Sequence, residues 1–203
     1  MISAKEALLR LKEGNLRFRT DDIPKIHMNA EARSQLAKAQ SPFAIILGCS
    51  DARVPAEIIF GQGLGDLFVI RVAGNIVAPS QIASIEFAAE NFGTPLVVVL
   101  GHSRCGAVEA TIQQLKKPTA SRSPHLYSIV DRIRPAVEFL VDSENSDDMV
   151  SLMQRAVRAN IKTSVANLRH GSAILETLIE SKRITIVGAE YSLETGNVEF
   201  FEN

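Results

Sequence analysis

Cys49 lies in Gly48-Cys49-Ser50-Asp51-Ala52-Arg53-Val54, and the only other cysteine, Cys105, lies in Gly101-His102-Ser103-Arg104-Cys105-Gly106. Each segment follows a short apolar run, Phe43-Ala44-Ile45-Ile46-Leu47 in the first case and Leu96-Val97-Val98-Val99-Leu100 in the second. In an open parallel sheet, residues just beyond the carboxyl ends of neighbouring strands converge in the crevice where ligands bind. Cys49, His102 and Cys105 then face one point. Two thiolates and one imidazole with a fourth position open make the pattern of a catalytic zinc site, whereas a structural site closes with a fourth protein ligand. The rival, two ordinary buried cysteines, is set aside because the spacing His102-x-x-Cys105 lets both residues reach one ion from a single turn.

Asp51 and Arg53, two apart and beside Cys49, are spaced to pair bidentately. Such a pair keeps a carboxylate ionised and oriented, ready to accept a hydrogen bond from a metal-bound hydroxide. An isolated Asp-x-Arg pair is more often a brace for its own turn; next to a metal ligand the catalytic role is preferred. Cys105 falls near the start of a helix, where the dipole favours a thiolate, with Ser103 as the expected cap.

The elements that must position these groups alternate along the chain. Apolar runs at 43–47, 67–70, 96–100 and 184–187 read as buried parallel strands. Helical patterns at 80–91, 107–115, 126–140 and 149–181 fill the intervals, and the segment from Tyr191 to Phe200 reads as a hairpin around Thr195-Gly196-Asn197. The expected fold class is α/β: a central, mostly parallel sheet of four parallel strands plus a C-terminal antiparallel edge strand, flanked by helices. Residues 1–203 form one domain, with an N-terminal helical arm over 1–40 and an α/β core over 41–203. The arm carries an amphipathic helix from Ala4 to Phe18, with Leu8, Leu11 and Phe18 on its apolar face, and a weaker one from Met28 to Ala39. Both are expected to lie outside the main body.

Composition narrows the class further. A hydrophobic content of 46% supports a real core, and a formal net charge of −1 without a basic run leaves no electrostatic footprint for nucleic acid or an anionic membrane. No stretch is long and apolar enough to span a bilayer, and the charged, helical start carries no secretory pattern. Two cysteines flanking a histidine argue for reduced ligands in a cytoplasm. The glycines of Gly61-Gln62-Gly63-Leu64-Gly65-Asp66 precede an apolar run instead of following one, so they read as a flexible turn and not as a dinucleotide loop. His27, His125 and His170 lack ligand spacing. The segments 116–124 and 142–148 have loop composition.

The motifs Cys49-Ser50-Asp51-Ala52-Arg53, Arg71-Val72-Ala73-Gly74-Asn75 and Gly101-His102-Ser103-Arg104-Cys105-Gly106 resemble those of the β-class carbonic anhydrases, from about Gln40 to Val108. The resemblance implies one zinc ion per chain on Cys49, His102 and Cys105, a catalytic pair Asp51 and Arg53, and reversible hydration of carbon dioxide to bicarbonate. It also implies a homodimer or a multiple of it, with N-terminal helices extending to a partner subunit, Gln40 reaching substrate across the interface, and Phe68, Ala73 and Phe87 lining an apolar pocket. Some relatives use the same ligands to hydrolyse carbon disulfide or carbonyl sulfide, and a non-catalytic zinc protein is the reading from another class. In some relatives bicarbonate, held by a tryptophan, an arginine and a tyrosine, stabilises a closed state in which the aspartate ligates zinc. Arg71 and Tyr191 match two of these, but Ile46 stands at the tryptophan position.

Overall fold

In the computed structural model, which describes residues 2–22, 29–118, 123–143 and 148–201, strand β1 (Ala44–Gly48) sits between β2 (Leu67–Arg71) and β3 (Leu96–His102). Strand β4 (Thr185–Tyr191) follows β3, and β5 (Val198–Phe200) closes the order β2-β1-β3-β4-β5. All pairings are parallel except β4 with β5.

Successive side chains of a strand point to opposite faces, and here both faces are covered. Ile45, Leu47, Val97, Val99 and Ile186 pack against α4 (Pro79–Phe92), α5 (Gly106–Lys116), α6 (Pro124–Ser143), α7 (Met149–His170) and α8 (Ala173–Glu180). Ala44, Ile46, Val98, Leu100 and Ala189 pack against α1 (Ala4–Arg19) and the short α3 (Ala56–Ile59). This two-sided cover is why the strands read as unbroken apolar runs.

The placement of α1 corrects the expectation that it lies outside the body. Ala7 and Leu11 are fully buried on the sheet, and burial of a leucine contributes roughly 2 kcal/mol. The helix starts in a capping box, with Ser3 and Glu6 each accepting from the other's backbone N–H. At Gly14 its backbone comes so close to α3 that a Cβ would fall 1.8 Å from the Phe60 carbonyl oxygen. The second N-terminal helix, α2 (Ala30–Leu36), buries none of its residues within the chain. Its expected start at Met28, like His27 and the loop residues 119–122 and 144–147, lies outside the described residues.

Two further expectations change. The helical region 149–181 is two helices, because the chain breaks at Gly171 and Ser172 caps α8 by accepting from the Leu175 N–H at 3.1 Å. The glycine turn before β2 is pinned rather than flexible: Gln62 Nε2 donates to the Phe60 carbonyl at 2.6 Å and the Gly63 N–H to Asp66 Oδ2 at 2.8 Å. Gly61 and Gly65 take φ of 57° and 82° there, the left-handed region glycine tolerates.

Candidate metal centre

Register brings the two motifs to one place. Gly48, the last residue of β1, pairs with Leu100 on one side and Arg71 on the other, so Cys49 emerges beside the end of β3, where His102 is the final strand residue. Cys105 follows after a tight turn through Arg104, whose φ is 54°, and occupies the N-cap position of α5. Ser103 does not cap that helix, contrary to expectation. Its hydroxyl donates to Glu194 Oε2 at 2.9 Å and accepts from the Leu193 N–H at 3.0 Å, which ties the turn to the segment after β4.

The potential ligand atoms of Cys49, His102 and Cys105 lie within 4.8 Å of one another, and all three residues are buried. His102 Nδ1 is 2.9 Å from the Ser103 carbonyl oxygen, which can only accept, so Nδ1 carries the proton and Nε2 presents a lone pair. Nε2 has no hydrogen-bond partner although it is shielded from solvent. An orphaned buried nitrogen is costly unless something else satisfies it. With two thiols beside it, the donor set suits a zinc-like cation.

The thiols are electrostatically unequal. Cys49 is drawn down, chiefly by the neighbouring Cys105 thiol, with the Asp51 and Gly74 amides adding to the effect. Cys105 is pushed up, first by its hydrogen bond to Cys49 and then by burial. Both thiols would give up their protons to a bound cation, since a metal takes cysteine as thiolate.

Asp51 and Arg53 form a two-pronged ion pair: Nε to Oδ1 at 2.9 Å and Nη2 to Oδ2 at 2.7 Å, with the Arg53 backbone N–H adding a third bond to Oδ1 at 3.0 Å. The Arg53 guanidinium holds the Asp51 carboxyl well below the usual carboxylate range. Asp51 Oδ2 lies 3.9 Å from His102 Nε2, so the paired carboxylate borders the cluster. Arg71 braces the same loop from β2, donating to the carbonyls of Cys49 at 3.0 Å and Asp51 at 2.6 Å.

The remaining predicted residues are spread more widely. Ala73 opens a 3-10 turn, Ala73–Asn75, whose Gly74 N–H donates to Cys49 Sγ at 3.4 Å. Phe68 on β2 and Phe87 on α4 stack with Phe92, with ring centroids 5.6–6.4 Å apart, and Phe87 is 51% exposed. Gln40 is exposed between α2 and β1. Motif reading missed the Gly74 contact and its supports on α7. A glycine-asparagine pair just after a strand was the available signal, since both residues tolerate left-handed backbone.

The carbonic anhydrase family model matches residues 44–198. Carbonic anhydrase 2 of Mycobacterium tuberculosis is 37% identical over 186 residues, spanning 92% of this chain and 87% of that protein. The carbonic anhydrase of Mycolicibacterium smegmatis is 36% identical over 189 residues, spanning 93% and 89%. Among solved structures, the β-carbonic anhydrase CcaA superposes with a TM-score of 0.77 at 26% identity, covering 96% of this chain and 95% of that one. The β-carbonic anhydrase CafA of Aspergillus fumigatus gives 0.74 at 25% identity, covering 98% and 90%. The chain belongs to the carbonic anhydrase family. Within it, the sheet and its structural neighbours put it in the β class, and it is an enzyme of carbon dioxide hydration. Neither hydrolysis of carbon disulfide or carbonyl sulfide nor a non-catalytic role is favoured by these relatives. No described helix is long and apolar enough to cross a membrane.

Proposed function

We propose that Cys49, His102 and Cys105 hold one zinc ion per chain and that Asp51, oriented by Arg53, is the catalytic carboxylate of reversible carbon dioxide hydration. The observation that carries this is a buried, unpartnered His102 Nε2 among two thiols, with an arginine-held carboxylate oxygen 3.9 Å away. Bound zinc would supply Lewis acidity, which acidifies a water so that hydroxide is available at moderate pH. Asp51 has its oxygens fixed by Arg53 and cannot pick up a proton near neutrality. Its remaining lone pairs accept the nucleophile's O–H and aim the oxygen lone pair at the carbon of the substrate. Ala73, Phe68 and Phe87 supply apolar surface for a linear, uncharged molecule, and Gln40 donates to its oxygen from across a subunit boundary. Replacing Asp51 by alanine should lower the stopped-flow hydration rate by about 100-fold, the scale of loss when a reacting group is no longer held in its orientation, with zinc content unchanged. An Asp51→Ala enzyme with the parent's rate would refute the assignment.

Cys49 and Cys105, as thiolates, offset the metal's charge, so the water's acidity is weaker than at an all-histidine site and the rate should climb well into the alkaline range. Asp51 contributes nothing to that rise, because its lowered pKa leaves it ionised throughout. Ile46 is fully buried and apolar, and two N–H groups of Arg71 already serve the Cys49 and Asp51 carbonyls. A bicarbonate-stabilised closed state therefore loses a donor, and the open pairing of Asp51 with Arg53 is favoured near neutrality. Rate profiles against pH, recorded with and without added bicarbonate, check both points. A plateau already reached below neutrality, or sigmoidal loss of activity with bicarbonate, would contradict them.

The same reading makes the chain one α/β domain that works as a homodimer or a multiple of it in the cytoplasm, where Cys49 and Cys105 stay reduced and form no disulfide. Support comes from β2, an edge strand with partly exposed side chains, from α2, which buries nothing on its own chain, and from the exposed Phe87. Analytical ultracentrifugation should give twice the chain mass or more at assay concentration; an active monomer would refute the assembly.

A further inference from the structure

The 3-10 turn Ala73–Asn75 places two consecutive residues in the left-handed region, Gly74 at φ 70° and Asn75 at φ 44°. Such backbone is costly at a non-glycine residue and persists only where its surroundings hold it. Two side chains of α7, one helical turn apart, do the holding. Asn160 Nδ2 donates to the Gly74 carbonyl at 2.8 Å and Ser164 Oγ to the Asn75 carbonyl at 3.1 Å. Both are almost wholly buried, at 2% and 3% exposure, in a helix face that otherwise packs Val157, Ile161 and Leu168 into the core. From the other side, α6 and α5 close the space: a Cβ on Gly74 would fall 2.8 Å from Ile133 Cδ1 and 3.1 Å from the Ala107 Cβ. The turn so fixed points its Gly74 N–H at Cys49 Sγ.

We infer that Asn160, assisted by Ser164, is a positioning residue that aims the Gly74 amide at the Cys49 sulfur and thereby sets its strength as a metal ligand. The inference rests on the proposed role of Cys49 in holding the metal. An N–H donated to a thiolate stabilises the sulfur lone pairs, so its removal makes the sulfur easier to oxidise. Outer partners of this kind commonly change metal affinity or activity by about 10–100-fold.

Cobalt(II) loaded in place of zinc reports directly on the sulfur through the thiolate-to-metal charge-transfer absorption. This band should move to lower energy in Asn160→Ala and by a smaller amount in Ser164→Ala. In Asn15→Ala, which removes a buried asparagine bonded to Ile59, Gly196 and Val198 instead, the band should stay in place. A chelator should strip cobalt about ten times faster from Asn160→Ala than from the parent. If the parent chain binds cobalt without a thiolate band, the ligand assignment of Cys49 fails. If the parent shows the band and both α7 variants reproduce it and the parent's release rate, the positioning role is overturned. Should Asn160→Ala not fold, the shift or its absence in Ser164→Ala decides by the same criterion.

Discussion

A Cys49→Ala enzyme should be purified without zinc and without hydratase activity, while remaining folded. The sulfur is one of three ligand atoms that lie within 4.8 Å of each other, and no fourth thiol or imidazole joins that group among the described residues. On the proposed assignment its loss removes a direct ligand, so the effect should exceed the roughly 100-fold typical of outer partners. The fold should survive because a cysteine-to-alanine change deletes one buried atom next to a core built from the strands and helices on both sides, a cavity cost on the order of 1 kcal/mol. Metal analysis and circular dichroism on the same sample separate the two effects. Acid should imitate the substitution on the intact enzyme, since thiolates and a neutral imidazole must be deprotonated to bind metal. A Cys49→Ala protein that retains a full complement of zinc would show that the cluster is not the site.

Gly14→Ala should be severely destabilising although it lies on another element and touches none of the chemistry. A Cβ there meets the Phe60 carbonyl oxygen at 1.8 Å and its carbon at 2.8 Å, both backbone atoms that cannot swing aside. Helix α1 must then lift from the sheet, uncovering Ala7 and Leu11. The cost should be about 3 kcal/mol or more, at the upper end of overpacking penalties, lowering the melting temperature by roughly 10 °C for a chain of this size. Gly106→Ala is the matched control. It opens α5, a Cβ there meets nothing within 4 Å, and alanine at a helical position should be neutral or slightly stabilising. Thermal melts of the two variants decide the matter; a Gly14→Ala protein melting with the parent would mean that α1 is not docked where the structure has it.

Much of the site was legible in the linear chain because its chemistry is local. Cysteine and histidine are rare here, and each motif falls directly after an apolar run, so a parallel sheet leaves little choice about where their side chains meet. Asp51 and Arg53 are two residues apart, and their pairing needs only a turn. The strands were equally plain, since burial on both faces demands continuous apolar runs. What the sequence could not decide was whatever depends on contacts between distant segments. The periodicity of α1 announces an apolar face but not what covers it; the partner is the side of the sheet formed by Ile46, Val98 and Leu100, together with a short helix, α3, that has too few residues to show a period. The run 149–181 has helical pattern throughout, and only Gly171 and Ser172 mark its break. Arg71 takes its place in the loop at Cys49 from a separate strand, 22 residues away. Asn160 and Ser164 lie 86 and 89 residues from the carbonyls they hold, so nothing in their neighbourhood along the chain ties them to a sulfur. Residue type and short spacing singled out Cys49, His102 and Cys105, whose ligand atoms lie within 4.8 Å of one another, and the paired Asp51, because a metal site needs particular atoms within a few ångströms. Packing of helices onto the two sheet faces decided what orients those atoms, because a hydrogen bond to a buried carbonyl depends on position in space and not on distance along the chain.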